Sequence, residues 1–358
     1  MVSKQQFHSF DALRFFSFLI VFLSHLPYDL FNTLRFLHLK GTIGVSFFFV
    51  LSGFLITYIL LHEKTQTSTV QLKNFFMRRI LRIWPLYYCT LLFAFLSSYL
   101  INMIGLDSSS NGYEPNWILS ALFLENYQNI FFNDVGNVSP MPVLWSLCIE
   151  EHFYILWGLA LYFLPAKRIP LLIIVLIISA TIARIIFLHN QWPFKDITTN
   201  IDYFMYGAIP AYLFVFAKEQ TIQLVSNIPT YLKVILPILI LIYLFSANSL
   251  YFPYYELVEP VVFGLLFGAL ILLLLPEKGV FKISDRNIFS KWGTYTYGLY
   301  LIHVIAINLV IQIFRKLHID FEVHYLMFIA LAFVTTLLGS YVSYRYIEKP
   351  FLRLKKGF

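Results

Sequence analysis

The residues of this chain that could do chemistry are few, and their spacing places them on helical faces. Phe10-Asp11-Ala12-Leu13-Arg14 is followed by ten residues and then His25. Eleven steps of about 100° return to one face of a helix and advance about 16 Å along it, so one stripe carries a guanidinium near one end and an imidazole near the other. Asp11, three residues from Arg14, can neutralise it. A second cluster reads Leu144-Trp145-Ser146-Leu147-Cys148-Ile149-Glu150-Glu151-His152-Phe153-Tyr154. A carboxylate on one ring nitrogen of a histidine fixes the tautomer and makes the other nitrogen a better base toward a hydroxyl. Adjacent glutamates point about 100° apart, so one of the two is expected to face the imidazole. Glu150 is assigned that place against His25, at a matching shallow depth, and Glu151 a hydrogen-bond network or the rim. Arg79 and Arg82 share a face and offer the bidentate geometry that suits phosphate, although arginines beside an apolar run are also what membrane topology requires. The run Tyr297-Gly298-Leu299-Tyr300-Leu301-Ile302-His303 adds a second histidine. Arg184 and Asp202 are further candidates that snorkelling or a structural ion pair explains equally well.

These groups must be held by elements in a chain of 358 residues that is 59% hydrophobic, 19% aromatic and only 13% charged, against about 25% charged in an ordinary globular domain. Charge so sparse cannot clothe two water-soluble cores, so the apolar surface is expected to face lipid. Ten runs are long enough to be candidate spans: Phe10–Leu26, Ile43–Leu61, Trp84–Ile104, Val143–Leu164, Ile169–Leu188, Tyr203–Phe216, Tyr231–Ala247, Leu257–Leu275, Tyr295–Phe314 and Tyr325–Tyr344. The first reads as a retained helix rather than a cleaved signal, since Arg14 interrupts it and no small-x-small site follows. With both termini inside, nineteen of the 26 Lys and Arg lie in cytoplasmic segments and five outside, with Arg14 and Arg184 in spans. That asymmetry predicts an all-α, polytopic membrane bundle of about ten helices, N-in and C-in, forming one domain over 1–358 in the inner (plasma) membrane among lipid. The net charge of +7 is spent on topology, so no nucleic-acid partner is expected. Cys89 and Cys148 supply neither a disulfide framework nor a zinc site, and no metal is expected.

One outer connection, residues 105–142, is acidic and aromatic. It holds Asp107, Glu114, Glu125 and Asp134 with no Lys or Arg, and Tyr113, Trp117, Tyr127, Phe131 and Phe132. It reads either as an interfacial helix around Trp117–Leu124 resting on headgroups or as a platform on which sugar rings stack.

Taken in order, six motifs resemble those of the acyltransferase-3 family, membrane enzymes that include bacterial O-acetyltransferases of surface polysaccharides and lipopolysaccharide. They are the Arg14–His25 spacing, Gly44-Val45-Ser46-Phe47-Phe48-Phe49-Val50-Leu51-Ser52-Gly53-Phe54-Leu55, Arg79 with Arg82, Trp145-Ser146-Leu147 with Glu150, Phe153 and Tyr154, Tyr300-Leu301-Ile302-His303, and Ile347-Glu348-Lys349-Pro350-Phe351. The resemblance runs from Phe10 to Phe351. It implies acetyl-CoA as donor, with Arg79, Arg82 and Asp11 on the donor side, and His25, Glu150 and Arg14 as the catalytic set. Ser52, Trp145, Ser146, Glu151, Tyr154 and His303 would support them. Two departures stand out: Ser46 where relatives often carry aspartate, and His152 where glutamine is common. Many relatives append an extracytoplasmic hydrolase-like domain. This sequence runs 14 residues past its last apolar run, and the expectation is a chain without that domain, which transfers directly or hands the acyl group on.

The function so implied is transfer of an acetyl group from cytosolic acetyl-CoA to a hydroxyl of a surface carbohydrate or lipid-linked glycan, with His25 as general base or transient acyl carrier. A transporter is the rival from another class, since polar groups at both ends of one stripe also suit a translocation path. An accessory subunit of a polysaccharide synthase is the third reading.

Overall fold

The computed structural model describes residue 7 and residues 9–27, 40–103, 115–132, 138–246, 254–276, 279, 282–320 and 323–358. Asp107, Tyr113, Glu114 and Asp134 of the outer connection, with Ile104 and Ala247 at the ends of two expected spans, lie outside them. Among the described residues the chain is helical, with no strand. The helices are α1 (Phe10–Ser24), α2 (Gly41–Thr67), α3 (Leu72–Met103), α4 (Trp117–Ala121), α5 (Glu125–Phe132), α6 (Leu144–Phe163), α7 (Ile169–His189) and α8 (Ile197–Phe216). They continue with α9 (Lys218–Asn227), α10 (Thr230–Ser246), α11 (Tyr255–Leu274), α12 (Ile288–Gly293), α13 (Thr296–Lys316), α14 (Tyr325–Ser343) and α15 (Lys349–Leu354). A π-helical turn, Tyr344–Glu348, joins the last two.

Among the described residues, each of the ten apolar runs lies largely on a helix. Among these same residues, six helical stretches are long and apolar enough to cross a membrane: α2, α3, α7, α11, α13 and the run from α14 through α15. A seventh is counted if α9 and α10, bent by 90° at their junction, form one span. The 15-residue α1 is about 22 Å long, short of the roughly 30 Å hydrocarbon layer. Two boundaries differ from expectation in ways that matter. The basic segment before the third run is not a loop: α3 begins at Leu72, so Arg79 and Arg82 ride on the same helix as the span behind them. The first run stops at Ser24, leaving His25 as the C-cap of α1.

Helices α2 and α8 form the most intimate pair. A Cβ on Gly53 would lie 2.0 Å from the Phe204 carbonyl oxygen, and one on Gly207 would lie 1.8 Å from that of Val50. Only glycine permits backbones to approach this closely, the small-residue packing typical of helices in lipid. A large apolar cluster surrounds this seam with residues of α2, α6 and α8, and a smaller one joins α1, α13 and α14 through Phe15, Phe18, Phe22, Leu299 and Phe328. The outer face of α7 is inverted relative to a soluble helix. Leu171, Ile174, Ile178 and Ile185 are exposed while Arg184 is 1% exposed, as expected where lipid is the solvent.

The connection around α4 and α5 has a polar inner side and an apolar outer side. Its polar residues point inward, with Glu125, Asn126 and Asn129 buried, while Ile118, Phe131 and Phe132 face out. The Phe123 ring stacks on Tyr87 at 4.0 Å, and Trp117 meets Phe95 edge-on at 5.3 Å. Helix α4 is capped by the Asn116 side chain, which accepts from Ile118 and Leu119. Polar contacts tie the segment to its neighbours: Tyr87 Oη donates to the Ser120 carbonyl at 2.6 Å and Asn126 Nδ2 to that of Lys195 at 3.1 Å.

Candidate active site

A cavity of about 430 Å³ opens among α1, α2, α3, α6 and α13. Eight of the twelve expected site residues line it: Asp11, Arg14, Ser52, Arg79, Arg82, Ser146, Glu150 and Tyr154. They arrive from four helices because each helix supplies a stripe one or two turns long: Asp11 and Arg14 from α1, Arg79 and Arg82 from α3, Ser146, Glu150 and Tyr154 from α6, each at i, i+3 or i, i+4.

The charge is lopsided. Arg14, Arg79, Arg82 and Lys355 meet two carboxylates, Asp11 and Glu150. Asp11 is engaged by Arg14 in an ion pair one turn apart. Ser52 Oγ donates to Glu150 Oε1 at 2.6 Å. Arg79 lies between the rings of Phe75 and Tyr154, at 5.9 and 5.8 Å, and its Nε is buried with no hydrogen-bond partner among the described residues. A buried guanidinium left with an unmet donor is a costly arrangement that an anionic ligand would relieve.

The expected contact between Glu150 and His25 is not formed. Glu150 turns toward Ser52 and the arginines, and His25 meets another histidine. His25 Nδ1 lies 2.8 Å from the Val21 carbonyl oxygen and 3.4 Å from His303 Nε2, with ring centroids 4.9 Å apart. The reason is depth along α6. Glu150 sits one turn further into the bundle than Ser146, and it is Ser146 that reaches toward the histidines, its Oγ 2.6 Å from Tyr300 Oη.

Hydrogen bonding fixes both imidazoles. A carbonyl can only accept, so the 2.7 Å contact between His303 Nδ1 and the Tyr300 carbonyl makes that nitrogen the donor and leaves Nε2 with a lone pair. By the same rule His25 donates from Nδ1 to Val21 and carries its free lone pair on Nε2. His303 is fully buried, whereas His25 keeps an exposed edge. An imidazole with its tautomer locked by one carbonyl and its other nitrogen open has the form of a general base.

The remaining expected residues sit away from the cavity. Trp145 lies under the Lys195 ammonium at 5.9 Å and against Phe49. Glu151 accepts from Trp84 Nε1 at 3.4 Å through one oxygen, while its other oxygen is buried without a partner among the described residues. The two departures, Ser46 and His152, also lie off the lining. Ser46 donates to the Thr42 carbonyl at 2.9 Å, and His152 packs against Tyr127. The candidates Arg184 and Asp202 find each other in a bidentate pair at 2.6 and 2.8 Å. No group of three or more His, Cys, Asp or Glu suited to a metal occurs among the described residues.

Four polar lining residues, Thr296, Tyr297, Tyr300 and Lys355, were not among the expected site residues. Tyr300 could have been read from the Tyr297, Tyr300, His303 spacing, which puts all three on one stripe. Lys355 carried no signal, because it lies beyond the last apolar run and enters the cavity only when α15 folds back against α3.

Comparison with known proteins agrees with the cavity's chemistry. A family model described as an acyltransferase domain matches residues 7–345. The peptidoglycan O-acetyltransferase OatA of Listeria monocytogenes is 28% identical, covering 99% of this chain and 58% of its own length. The putative peptidoglycan O-acetyltransferase YrhL of Bacillus subtilis is 28% identical over 98% of this chain and 56% of its own. The O-acetyltransferase OatA of Staphylococcus aureus is 26% identical over 100% and 59%. The chain thus spans less than three fifths of the length of these curated relatives, and no solved structure matches it. By the extent of the family match and the order of its motifs, this chain belongs to the acyltransferase-3 family.

Proposed function

We propose that this chain is a multi-pass membrane O-acetyltransferase of the plasma membrane that draws acetyl groups from cytosolic acetyl-CoA and delivers them to hydroxyls of a cell-wall glycan, peptidoglycan being the class named for its relatives. The observation that carries this reading is the convergence of Arg14, Arg79, Arg82 and Lys355 on one cavity whose wall at Tyr300 lies a single helical turn from His303, which in turn meets His25. The cations match the phosphates of a CoA-type donor. The Lys and Arg asymmetry supports both termini inside, with ten crossings completed by α1, α6, α8 and α10.

In the reaction, His25 Nε2 takes the proton of the acceptor hydroxyl as its oxygen attacks the acetyl carbonyl carbon. The C–O bond forms, the thioester C–S bond breaks, and the CoA thiolate leaves and takes up the proton that the imidazolium returns. Arg14 stabilises negative charge at the thioester. Glu150 orders the arginine side of the cavity rather than the imidazole.

Purified protein in proteoliposomes, given radiolabelled acetyl-CoA and peptidoglycan fragments, is expected to label the glycan. His25→Ala should abolish labelling while donor binding persists. A wild-type protein that leaves the glycan unmodified, or a His25→Ala variant that keeps more than a few per cent of turnover, would overturn the proposal, the first outcome favouring the transporter.

A further inference from the structure

The donor cavity and His25 are adjacent but not continuous. Neither His25 nor His303 lines the cavity, whose wall toward them is formed by Phe48, Ser146 and Tyr300. Tyr300 and His303 are one turn apart on α13, so the step from wall to histidine is about 4.5 Å along the axis. The Ser146–Tyr300 hydrogen bond, 2.6 Å and buried, closes one part of this wall. Phe48 closes the other: its ring meets Tyr300 edge-on, with centroids 6.2 Å apart. Phe48 packs against both apolar clusters, the one around the α2–α8 seam and the one joining α1, α13 and α14. It therefore stands at the boundary between the compartment that holds Arg79 and the compartment that holds His25.

We infer that Phe48 is the specificity-determining residue of the transfer: with the Ser146–Tyr300 bond it forms a gate that passes an acetyl group to His25 and excludes longer acyl chains. This deepens the proposed function and rests on it. The thioester carbon must pass between a phenyl ring that can swing and a phenol tied at two points, since Tyr300 Oη also contacts the Val143 carbonyl at 3.2 Å. A methyl group passes with a small displacement of Phe48, whereas each further methylene lengthens the group that must share the gap. The phosphates and arginines are indifferent to this, because they sit at the other end of the cavity. Discrimination is thus expected in kcat, after binding, rather than in KM.

The test compares acetyl-CoA with butyryl-CoA as donors to the same glycan acceptor, in wild type, Phe48→Ala and Phe48→Leu. An extra methylene in a closely fitting site commonly changes kcat/KM by about 10- to 200-fold, so wild type should favour acetyl by at least roughly 100-fold, with similar KM for both donors. Phe48→Ala should reduce that preference at least tenfold by raising butyryl turnover, and Phe48→Leu should fall between. Should Phe48→Ala not fold, Phe48→Leu carries the test. Equal use of the two donors by wild type, an unchanged ratio in the folded variants, or a preference that lies in KM would each overturn the gate. Acetyl transfer by wild type with any of these results leaves the proposed reaction standing; no transfer of either acyl group by wild type overturns that reading and the gate with it.

Discussion

Arg184 and Arg79 are both guanidinium groups held inside the bundle beside a tyrosine ring, and they meet opposite fates. Arg184 is 1% exposed and forms two hydrogen bonds to Asp202, itself fully buried, so its charge is matched within the fold. Arg79 keeps a buried Nε with no partner among the described residues and lines a cavity with Arg14, Arg82 and Lys355. A closed pair is part of the scaffold, and breaking it leaves an uncompensated charge. An open cluster holds a donor in reserve for something that comes from outside. The same residue type thus closes an ion pair in one place and lines an open cavity in another, and the distinction lies in what each guanidinium touches.

The largest effect should come from breaking the closed pair. Asp202→Asn or Arg184→Leu is expected to cost about 3–5 kcal/mol of stability, seen as a sharp fall in Tm and in the yield of detergent-solubilised protein. The double variant Arg184→Leu, Asp202→Leu should recover part of it. Single variants that melt like wild type would erase the contrast with Arg79.

Opening the other cluster should do the reverse. Arg79→Ala with Arg82→Ala is expected to leave Tm near wild type and raise KM for acetyl-CoA, since one charge-assisted hydrogen bond lost outright is worth about 1.5–3 kcal/mol, on the order of 10- to 150-fold. Lys64→Ala provides the internal control. Lys64 Nζ donates to the carbonyls of Leu161 and Leu164 at 2.5 and 2.6 Å, closing the end of α6, so its loss should lower Tm and leave KM alone. If all three cationic positions changed KM alike, the arginine pair would be ordinary topology charge.

The smallest effect sharpens the boundary between the two ends of the site. Glu150→Gln keeps an acceptor for Ser52 Oγ and removes one charge beside the arginines, so donor KM should shift by about tenfold or less, roughly the worth of one ordinary hydrogen bond. The pH optimum of turnover should stay in place, because His25 answers to Val21 and His303. A moved optimum would restore Glu150 as the partner of the imidazole.

Much of this was legible in the sequence. Hydropathy located the long helices among the described residues, and the Arg14, Arg79, Glu150 and Ser146 stripes all arrive at one cavity. What periodicity could not supply was rotation between helices. Whether Glu150 or Ser146 reaches the histidine side depends on how α6 is turned against α2 and α13, which is decided by tertiary contacts such as Trp157 Nε1 donating to Thr57 Oγ1 at 2.8 Å. The His25–His303 contact spans 278 residues and has no local trace. The acidic aromatic connection shows a related limit: composition did not reveal that Glu125, Asn126 and Asn129 turn inward while Ile118, Phe131 and Phe132 face out, since hydropathy does not weigh hydrogen bonds.

The glycine seam between α2 and α8 has a mechanical consequence. Where backbones touch at Gly53 and Gly207 there is no side chain to yield, so the two helices shift only together. The Arg184–Asp202 pair adds α7 to that unit, and Ser52, Thr57 and Lys64 fasten α6 to it. One wall of the cavity is therefore an anvil. The opposite wall comes from α3, α13 and the turn after α15, which carry Arg79, Arg82, Tyr300 and Lys355, with α13 pinned to α3 where Tyr297 Oη donates to the Ile83 carbonyl at 2.6 Å. On the proposed reading, strain from an entering donor would fall on that side, and a force that spreads the cavity would pull directly on the helix that holds His303.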